Sequence, residues 1–170
     1  MTTDGIFIGL GANLPSPRFG PPEATLAAAL GRLEALGVQL LARSRWYETA
    51  PVPASDQPWY VNAVAEVESD GTAAELLAVL HRIESEFGRI RAERNAPRLV
   101  DLDLLAFGEA VNDGPGLPIL PHPRMHERAF VLLPLRELAP EWRHPKLGRS
   151  LDALIAALPA DQVARPRGGA

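Results

Sequence analysis

The sequence of 170 residues contains no cysteine, no long apolar run and no excess of basic residues. Without cysteine, neither a disulfide scaffold nor a thiolate metal site can form, which fits the reducing cytoplasm that we expect for this protein. No apolar segment approaches the roughly 20 residues of a membrane span, and the first residues lack the basic start of a signal peptide. The net charge of −4 disfavours non-specific nucleic-acid binding, which requires cationic side chains at phosphates.

Proline, in contrast, is abundant: the chain has 17, about twice the usual share. The prolines cluster between segments of regular hydrophobic spacing, in 12–22, 48–58, 89–97 and beyond 108. This distribution predicts long, shaped loops, which commonly carry binding sites. The first three loops are candidate lids that would close over a substrate.

Hydrophobic spacing predicts the regular elements between these loops. The predicted helices cover 23–36, 72–87, 125–137 and 151–158. The predicted strands cover 5–11, 38–47, 59–68 and 98–107. The second helix begins with a capping box, in which Thr72 and Glu75 satisfy each other's backbone amides.

The order of these elements predicts an α+β fold with a ferredoxin-like βαββαβ core. Two helices would cover one face of a mostly antiparallel sheet, with long proline-rich loops and short C-terminal helices added to it. Because no repeat or linker divides the chain, we expect one domain over 1–160. The residues 161–170 are expected to form a flexible tail.

Two aspartates stand two residues apart in an apolar predicted strand. Because strand side chains alternate, Asp101 and Asp103 point to the same face, about 7 Å apart. Two such charges repel and are costly to desolvate unless a cation lies between them. Magnesium bound by carboxylate and phosphate oxygens is a common arrangement, although the pattern alone is equally compatible with a solvated strand face.

Several arginines lie just before this pair. They are Arg89, Arg91, Arg94 and Arg98. Their planar guanidinium groups match phosphate oxygens, so a polyphosphate is favoured. The alternative is a solvated loop whose arginines pair with Glu84, Glu86 and Glu93.

The strand predicted over 59–68 presents an aromatic ring and an amide on the same face. Tyr60 and Asn62 alternate with apolar neighbours, and together they suit a flat heterocycle with a polar edge. The alternative for Tyr60 is ordinary cross-strand packing.

Segments along most of the chain resemble one known family. The stretch 94–105, Arg-Asn-Ala-Pro-Arg-Leu-Val-Asp-Leu-Asp-Leu-Leu, is similar to the signature of the hydroxymethyldihydropterin pyrophosphokinase (2-amino-4-hydroxy-6-hydroxymethyldihydropteridine pyrophosphokinase) family. Further segments resemble that family in the same order, namely 8–14, 47–51, 56–63 and 121–132. The resemblance extends from about residue 6 to residue 158.

The resemblance implies an enzyme of folate synthesis that transfers pyrophosphate from MgATP to the hydroxymethyl group of 6-hydroxymethyl-7,8-dihydropterin and releases AMP. It implies two Mg²⁺ ions on Asp101 and Asp103, with Arg89 and Arg98 at the transferring phosphates. The implied ATP-binding residues are Glu84, Arg91 and His122. The implied pterin-binding residues are Thr49, Val52, Tyr60, Asn62 and Phe130. A monomer without nucleic-acid or membrane partners is expected.

Two other functions stay open from the residues alone. A nucleotidyltransferase also places carboxylates beside arginines, but it releases pyrophosphate. An RNA-binding module shares the strand–helix order, although its central strands would carry basic and aromatic residues where 100–103 is acidic. Three residues, Asn95, Pro123 and Trp59, depart from the family's usual pattern and are expected to alter loop closure and ligand affinity.

Overall fold

The computed structural model describes residues 5–51, 56, 58–88, 99–116 and 118–167. The strands in these residues are β1 (Ile6–Ala12), β2 (Gln39–Arg43), β3 (Tyr47–Thr49), β4 (Tyr60–Glu68), β5 (Asp101–Phe107) and β6 (Ala164–Pro166). The helices are α1 (Pro22–Ala35), α2 (Ala73–Glu86), α3 (Ala129–Leu138) and α4 (Leu151–Ala156), with a 3₁₀ helix at Met125–Glu127. Within the described ranges, none of the helices has the length and apolar character of a membrane span.

One antiparallel sheet joins the strands in the order β5-β1-β4-β3-β6, and β2 pairs with the other end of β4. The predicted α+β fold, an antiparallel sheet with packed helices, is confirmed. The segment 38–47, predicted as one strand, is two, because Ser44 interrupts it. The Ser44 hydroxyl accepts the Val64 amide (3.0 Å) and donates to the Arg45 carbonyl (2.8 Å).

The two faces of the sheet pack against different helices. On one face, α1 and α2 enclose a core that includes Leu10, Ala63 and Leu102. On the other face, α3 and α4 enclose a second core that includes Val64 and Leu105. The second core covers only one part of its face, so the remainder of that face is available for a site.

Helix α2 begins at the predicted capping box. The Thr72 hydroxyl accepts the Glu75 amide (3.1 Å), and the Glu75 carboxylate accepts the Thr72 amide (3.0 Å). Its buried residues include Leu76, Leu80 and Ile83, which recur at helical spacing. Both the cap and the buried face of this helix are confirmed.

The C-terminal segment contains a short strand, because Ala164–Pro166 forms β6. Its backbone pairs with β3, and further hydrogen bonds join Ala50 to Val163 (3.1 Å) and Arg167 to Trp46 (2.8 Å). β6 is mostly exposed, so it carries no hydrophobic alternation from which a strand could be predicted. The single domain over 1–160 and the flexible tail over 161–170 stay predictions.

Candidate active site

Strand β1 lies between the aspartate pair and the amide of β4. In the sheet register Gly11 lies opposite Asp101 on one side and opposite Asn62 on the other. Gly9 lies opposite Asp103 in the same way. Carboxylates and amide therefore share a face, and only two glycines separate them.

The absence of a side chain at Gly11 is required by its neighbour. A Cβ atom at this position would lie 2.7 Å from Nδ2 of Asn62, closer than carbon and nitrogen atoms can pack. A larger residue would therefore displace the Asn62 amide. Sequence reasoning recorded these glycines as strand residues and missed this role, which depends on the register of two strands.

A cavity of about 460 Å³ opens over this part of the sheet, a size typical of small-molecule sites. Its floor is formed by Gly9, Gly11, Asn62, Asp101 and Asp103. Its walls are formed by Thr49, Ala50, Pro51, Tyr60, Arg124, Glu127, Arg128, Phe130, Gln162 and Val163, among others. Six of the residues predicted to belong to the site therefore lie around one cavity: Thr49, Tyr60, Asn62, Asp101, Asp103 and Phe130.

Two buried polar atoms of the cavity have no hydrogen-bond partner among the described residues. They are Oδ1 of Asn62 and Oγ1 of Thr49, in residues that are each only 7% exposed. The Asn62 amide nitrogen donates to the Leu10 carbonyl (3.4 Å), so its oxygen is the atom left for another partner. Because buried polar groups are nearly always satisfied, these atoms mark a place for a ligand with a polar edge.

The two aromatic residues reach the cavity from different elements. Tyr60 is the first residue of β4, and Phe130 is the second residue of α3. Phe130 also packs against the second core, and the guanidinium carbon of Arg128 lies 5.4 Å from the centroid of its ring.

Glu84 projects from α2 to β5 and is 7% exposed. Its Oε2 atom accepts the backbone N–H of Leu102 (3.0 Å), the residue between the two aspartates. Glu84 is not among the residues that line the cavity. Its predicted contact with ATP stays a prediction, and its observed contact fixes the strand that carries Asp101 and Asp103.

His122 lies beside β5, where its backbone N–H donates to the Leu105 carbonyl (2.8 Å). Burial lowers the pKa of its imidazole, Asp103 opposes this effect, and Arg128 and Arg124 add to it. The net direction is downward, so the ring is neutral near pH 7. His122 can therefore serve as a neutral hydrogen-bonding group near Asp103.

Other predicted site residues fall outside the described ranges. These are Arg89, Arg91, Arg98 and Val52, and their roles stay predictions, as does the effect of Asn95. The other two departures from the family pattern, Trp59 and Pro123, are exposed and do not line the cavity.

The cavity also contains residues that sequence reasoning missed. Arg124, Glu127 and Arg128 come from a segment that resembles the family, but no role was assigned to them. Gln162 and Val163 come from the predicted tail, where no pattern in the sequence indicated a site.

The aspartate pair fits a hard divalent cation. The carboxylate oxygens that would hold it belong to half-buried residues that line the cavity. In the part of the chain that the structure describes, no group of three or more His, Cys, Asp or Glu side chains could hold a metal ion. Phosphate oxygens and water would complete the shell, as is usual for magnesium.

Comparisons with known proteins identify the family of this chain. The family model for 7,8-dihydro-6-hydroxymethylpterin-pyrophosphokinase (HPPK) matches residues 7–140. A 2-amino-4-hydroxy-6-hydroxymethyldihydropteridine pyrophosphokinase of Pseudomonas aeruginosa is 42% identical over 161 residues, which cover 94% of this chain and 95% of that protein. One of the same name from Methylorubrum extorquens is 41% identical over 137 residues, covering 79% and 82%.

A longer relative matches through one part of its length. The folic acid synthesis protein fol1 of Pneumocystis carinii is 34% identical over 148 residues, which cover 87% of this chain and 19% of that protein. The family predicted from the segment 94–105 is thereby confirmed: this chain belongs to the 7,8-dihydro-6-hydroxymethylpterin-pyrophosphokinase family.

Proposed function

We propose that the cavity over β1, β4 and β5 is the place where this chain carries out the reaction of its family. That reaction transfers pyrophosphate from MgATP to the hydroxymethyl group of 6-hydroxymethyl-7,8-dihydropterin and releases AMP, in folate synthesis. The family uses ATP and therefore needs a divalent metal. The observation that carries the assignment is the pair of buried polar atoms on Asn62 and Thr49 that find no hydrogen-bond partner in the described part of the chain, in one cavity with two aspartates.

The pterin ring is proposed to lie between Tyr60 and Phe130. Flat heterocycles stack on aromatic faces, and both rings border the same cavity. The polar edge of the pterin would then donate a hydrogen bond to Oδ1 of Asn62 and meet the hydroxyl of Thr49. Val52 is proposed to close the same pocket through its backbone.

The phosphates of ATP are proposed to lie over the aspartate end of the cavity. Asp101 and Asp103 would hold two Mg²⁺ ions, which neutralise phosphate charge when they are bound. Arg89 and Arg98 would contact the transferring phosphates, and Arg91, His122 and Glu84 the nucleotide. The described cations Arg124 and Arg128, which influence the His122 pKa, would add positive charge at this end.

The spacing of the two ends supports transfer between them. Asn62 and Asp101 lie two strands apart, roughly 10 Å between backbones. Because Gly9 and Gly11 lie between them, no side chain of β1 would separate the hydroxymethyl group from the phosphates. The hydroxymethyl oxygen forms a bond to the β-phosphorus, the bond from that phosphorus to the α–β bridging oxygen breaks, AMP leaves with the bonding electrons, and the hydroxyl proton is released. The residues of this chain contribute orientation, which accounts for a large part of such catalysis.

The first experiment is a product assay with Mg²⁺, ATP and 6-hydroxymethyl-7,8-dihydropterin. AMP that forms only when the pterin is present is the expected result. Pyrophosphate as product would identify a nucleotidyltransferase instead, and ADP would identify simple phosphoryl transfer. Either of those products would overturn the proposal.

A matched pair of variants tests where the pterin binds. Thr49 and Thr25 both carry a buried hydroxyl that has no hydrogen-bond partner within the residues the structure describes, but of the two only Thr49 lines the cavity. Thr49→Val and Asn62→Leu should weaken pterin binding, whereas Thr25→Val should not. An equal change of the pterin Kd in Thr49→Val and Thr25→Val would contradict the proposed position of the pterin.

The oligomeric state and the cellular location are also proposed. The protein is expected to act as a monomer, since every residue proposed for the site belongs to one chain. A cytoplasmic location is proposed from the lack of cysteine. Light scattering measures the oligomeric state, and fractionation of the source cells measures the location.

A further inference from the structure

Gln162 joins the C-terminal segment to the N-terminus of α3 through both ends of its side-chain amide. Its Oε1 accepts the backbone N–H of Ala129 (2.8 Å), and its Nε2 donates to the backbone carbonyl of Glu127 (2.7 Å). The N-cap residue between them, Arg128, makes no side-chain capping hydrogen bond. Because the first amides of a helix have no partner within it, Gln162 supplies a cap that α3 lacks locally.

The next residue joins the same segment to the opposite wall of the cavity. The backbone carbonyl of Val163 accepts the N–H of Ala50 (3.1 Å), and Ala164 then pairs with Thr49 in the sheet. Both Gln162 and Val163 line the cavity. The segment 162–163 thus connects the wall at 49–51 with the wall at the start of α3.

These connections fix the parts of the site that would contact a flat ligand. Phe130 directly follows Ala129, so the hydrogen bond to Gln162 holds the backbone from which its ring projects. Thr49 is held from the other side by β6. The distance between the Phe130 ring and the β3–β4 side of the cavity therefore depends on Gln162.

We infer that Gln162 is a positioning residue for the pterin: it holds Phe130 at the separation from Tyr60 that admits one flat heterocycle. The inference rests on the proposed function. It concerns only the pterin end of the cavity, because Gln162 has no contact with Asp101 or Asp103 among its hydrogen bonds. Pterin binding should depend on Gln162 and ATP binding should not.

Two substitutions separate hydrogen bonding from packing. Gln162→Leu removes both hydrogen bonds at a similar side-chain volume. Gln162→Glu keeps an acceptor for Ala129, loses the donor to Glu127 and adds one negative charge. As a control in the same segment, Arg167→Ala removes exposed ion pairs with Glu23 and Glu48 and leaves the cavity intact.

Binding is measured by equilibrium titration of 6-hydroxymethylpterin, with Mg²⁺ and an ATP analogue that cannot transfer pyrophosphate. The pterin Kd should rise about tenfold in Gln162→Leu, the loss of one to two neutral hydrogen bonds, and by a smaller factor in Gln162→Glu. The Kd of the ATP analogue should stay within about twofold in both, and Arg167→Ala should match the wild type. Steady-state assays should place the loss in the KM for pterin.

Results that contradict the role of Gln162 differ from results that contradict the proposed function. Unchanged pterin binding in both Gln162 variants overturns the inference alone, whereas a wild-type protein that binds no pterin overturns the proposed function. Equal weakening of pterin and ATP analogue, with faster amide exchange throughout α3, would make Gln162 a general stabilising residue and also contradict the inference. If Gln162→Leu does not fold, the test is made with Gln162→Glu alone. A pterin Kd equal to that of the wild type in Gln162→Glu would then contradict a role for the hydrogen bond to Glu127 in positioning Phe130.

Discussion

The same face of the sheet has two halves with opposite properties. In the closed half, Val64 and Leu105 are buried under α3 and α4. In the open half, one side-chain step along the same strands, Asn62 and Asp103 line a cavity. Backbone pairing continues through both halves, with one register shift between Phe7 and Ile8, so the difference between core and site is made mainly by side chains.

The comparison also concerns stability. Apolar burial in the closed half stabilises the fold by about 25 cal/mol per Å². The open half brings two carboxylates onto one face and leaves Oδ1 of Asn62 and Oγ1 of Thr49 without partners, which opposes folding. The open half is therefore expected to be stabilised by its ligands, and the closed half to be independent of them.

The largest effect is expected at the aspartate pair. Asp103→Ala should lower the rate of AMP formation about a thousandfold, as for the loss of one key electrostatic group, while the fold is kept. Asp70→Ala, in an exposed turn, is the control. Near-normal turnover of Asp103→Ala would contradict the assignment of Asp103 to the metal. It would also contradict the proposal that the open half carries the chemistry.

The next effect tests the space above β1. Gly11→Ala should displace Asn62, weaken pterin binding about tenfold or more, and destabilise the fold by about 1–3 kcal/mol, as overpacking does. Gly31→Ala is the matched control, since a Cβ there meets nothing within 4 Å; in a helix it should stabilise by about 0.5–1 kcal/mol. Titration calorimetry and chemical denaturation measure the two effects. If Gly11→Ala binds pterin with wild-type affinity, a side chain on β1 beneath the cavity is compatible with pterin binding, and the proposed role of Gly11 is contradicted.

A substitution in the closed half should lower the stability of the fold and have little effect on pterin binding. Val64→Ala removes buried methyl groups and should lower the free energy of unfolding by about 1–3 kcal/mol. The Kd for pterin should change little, because Val64, unlike Asn62 on the same strand, does not line the cavity. Urea denaturation and pterin titration of the same preparation measure both quantities. Weaker pterin binding in proportion to lost stability would mean that the two halves are not independent.

The smallest effect is a pH dependence outside the cavity. His144 is 3% exposed, and burial, His126 and Lys146 lower its pKa to about 4. The unfolded chain, with an ordinary pKa of 6.5, then binds more protons than the folded chain between these values. Stability is therefore lost as the pH falls from about 6.5 towards 4.

The variant that isolates this effect is His144→Asn. An asparagine oxygen can replace Nδ1 of His144 as acceptor for the amides of Lys146 (3.3 Å) and Leu147 (3.0 Å), but it does not titrate. The melting temperature of the variant should fall less than that of the wild type between pH 7 and pH 4.5. Parallel curves would contradict the lowered pKa.

Sequence predicted those features that depend on local pattern. The capping box at Thr72, the alternation in β4 and the spacing of Asp101 and Asp103 all follow from the rules of single elements, and each was found in place. The division of 38–47 into β2 and β3 was missed, since it depends on hydrogen bonds between the Ser44 side chain and the neighbouring strand. The roles of Gly11 and Gln162 were missed for the same kind of reason. Both arise from neighbours distant in sequence, and neither residue type indicates a site by itself.

The contact between Glu84 and β5 has a consequence for association between molecules. β5 ends the described sheet, and the exposed edge of a terminal strand is a template for pairing with another chain. Here the Leu102 amide is bonded to Glu84, and the Leu105 carbonyl is bonded to His122. With these two groups occupied, the edge beside the aspartates is a poor partner for a foreign strand, which protects a site that must stay open to solvent from aggregation.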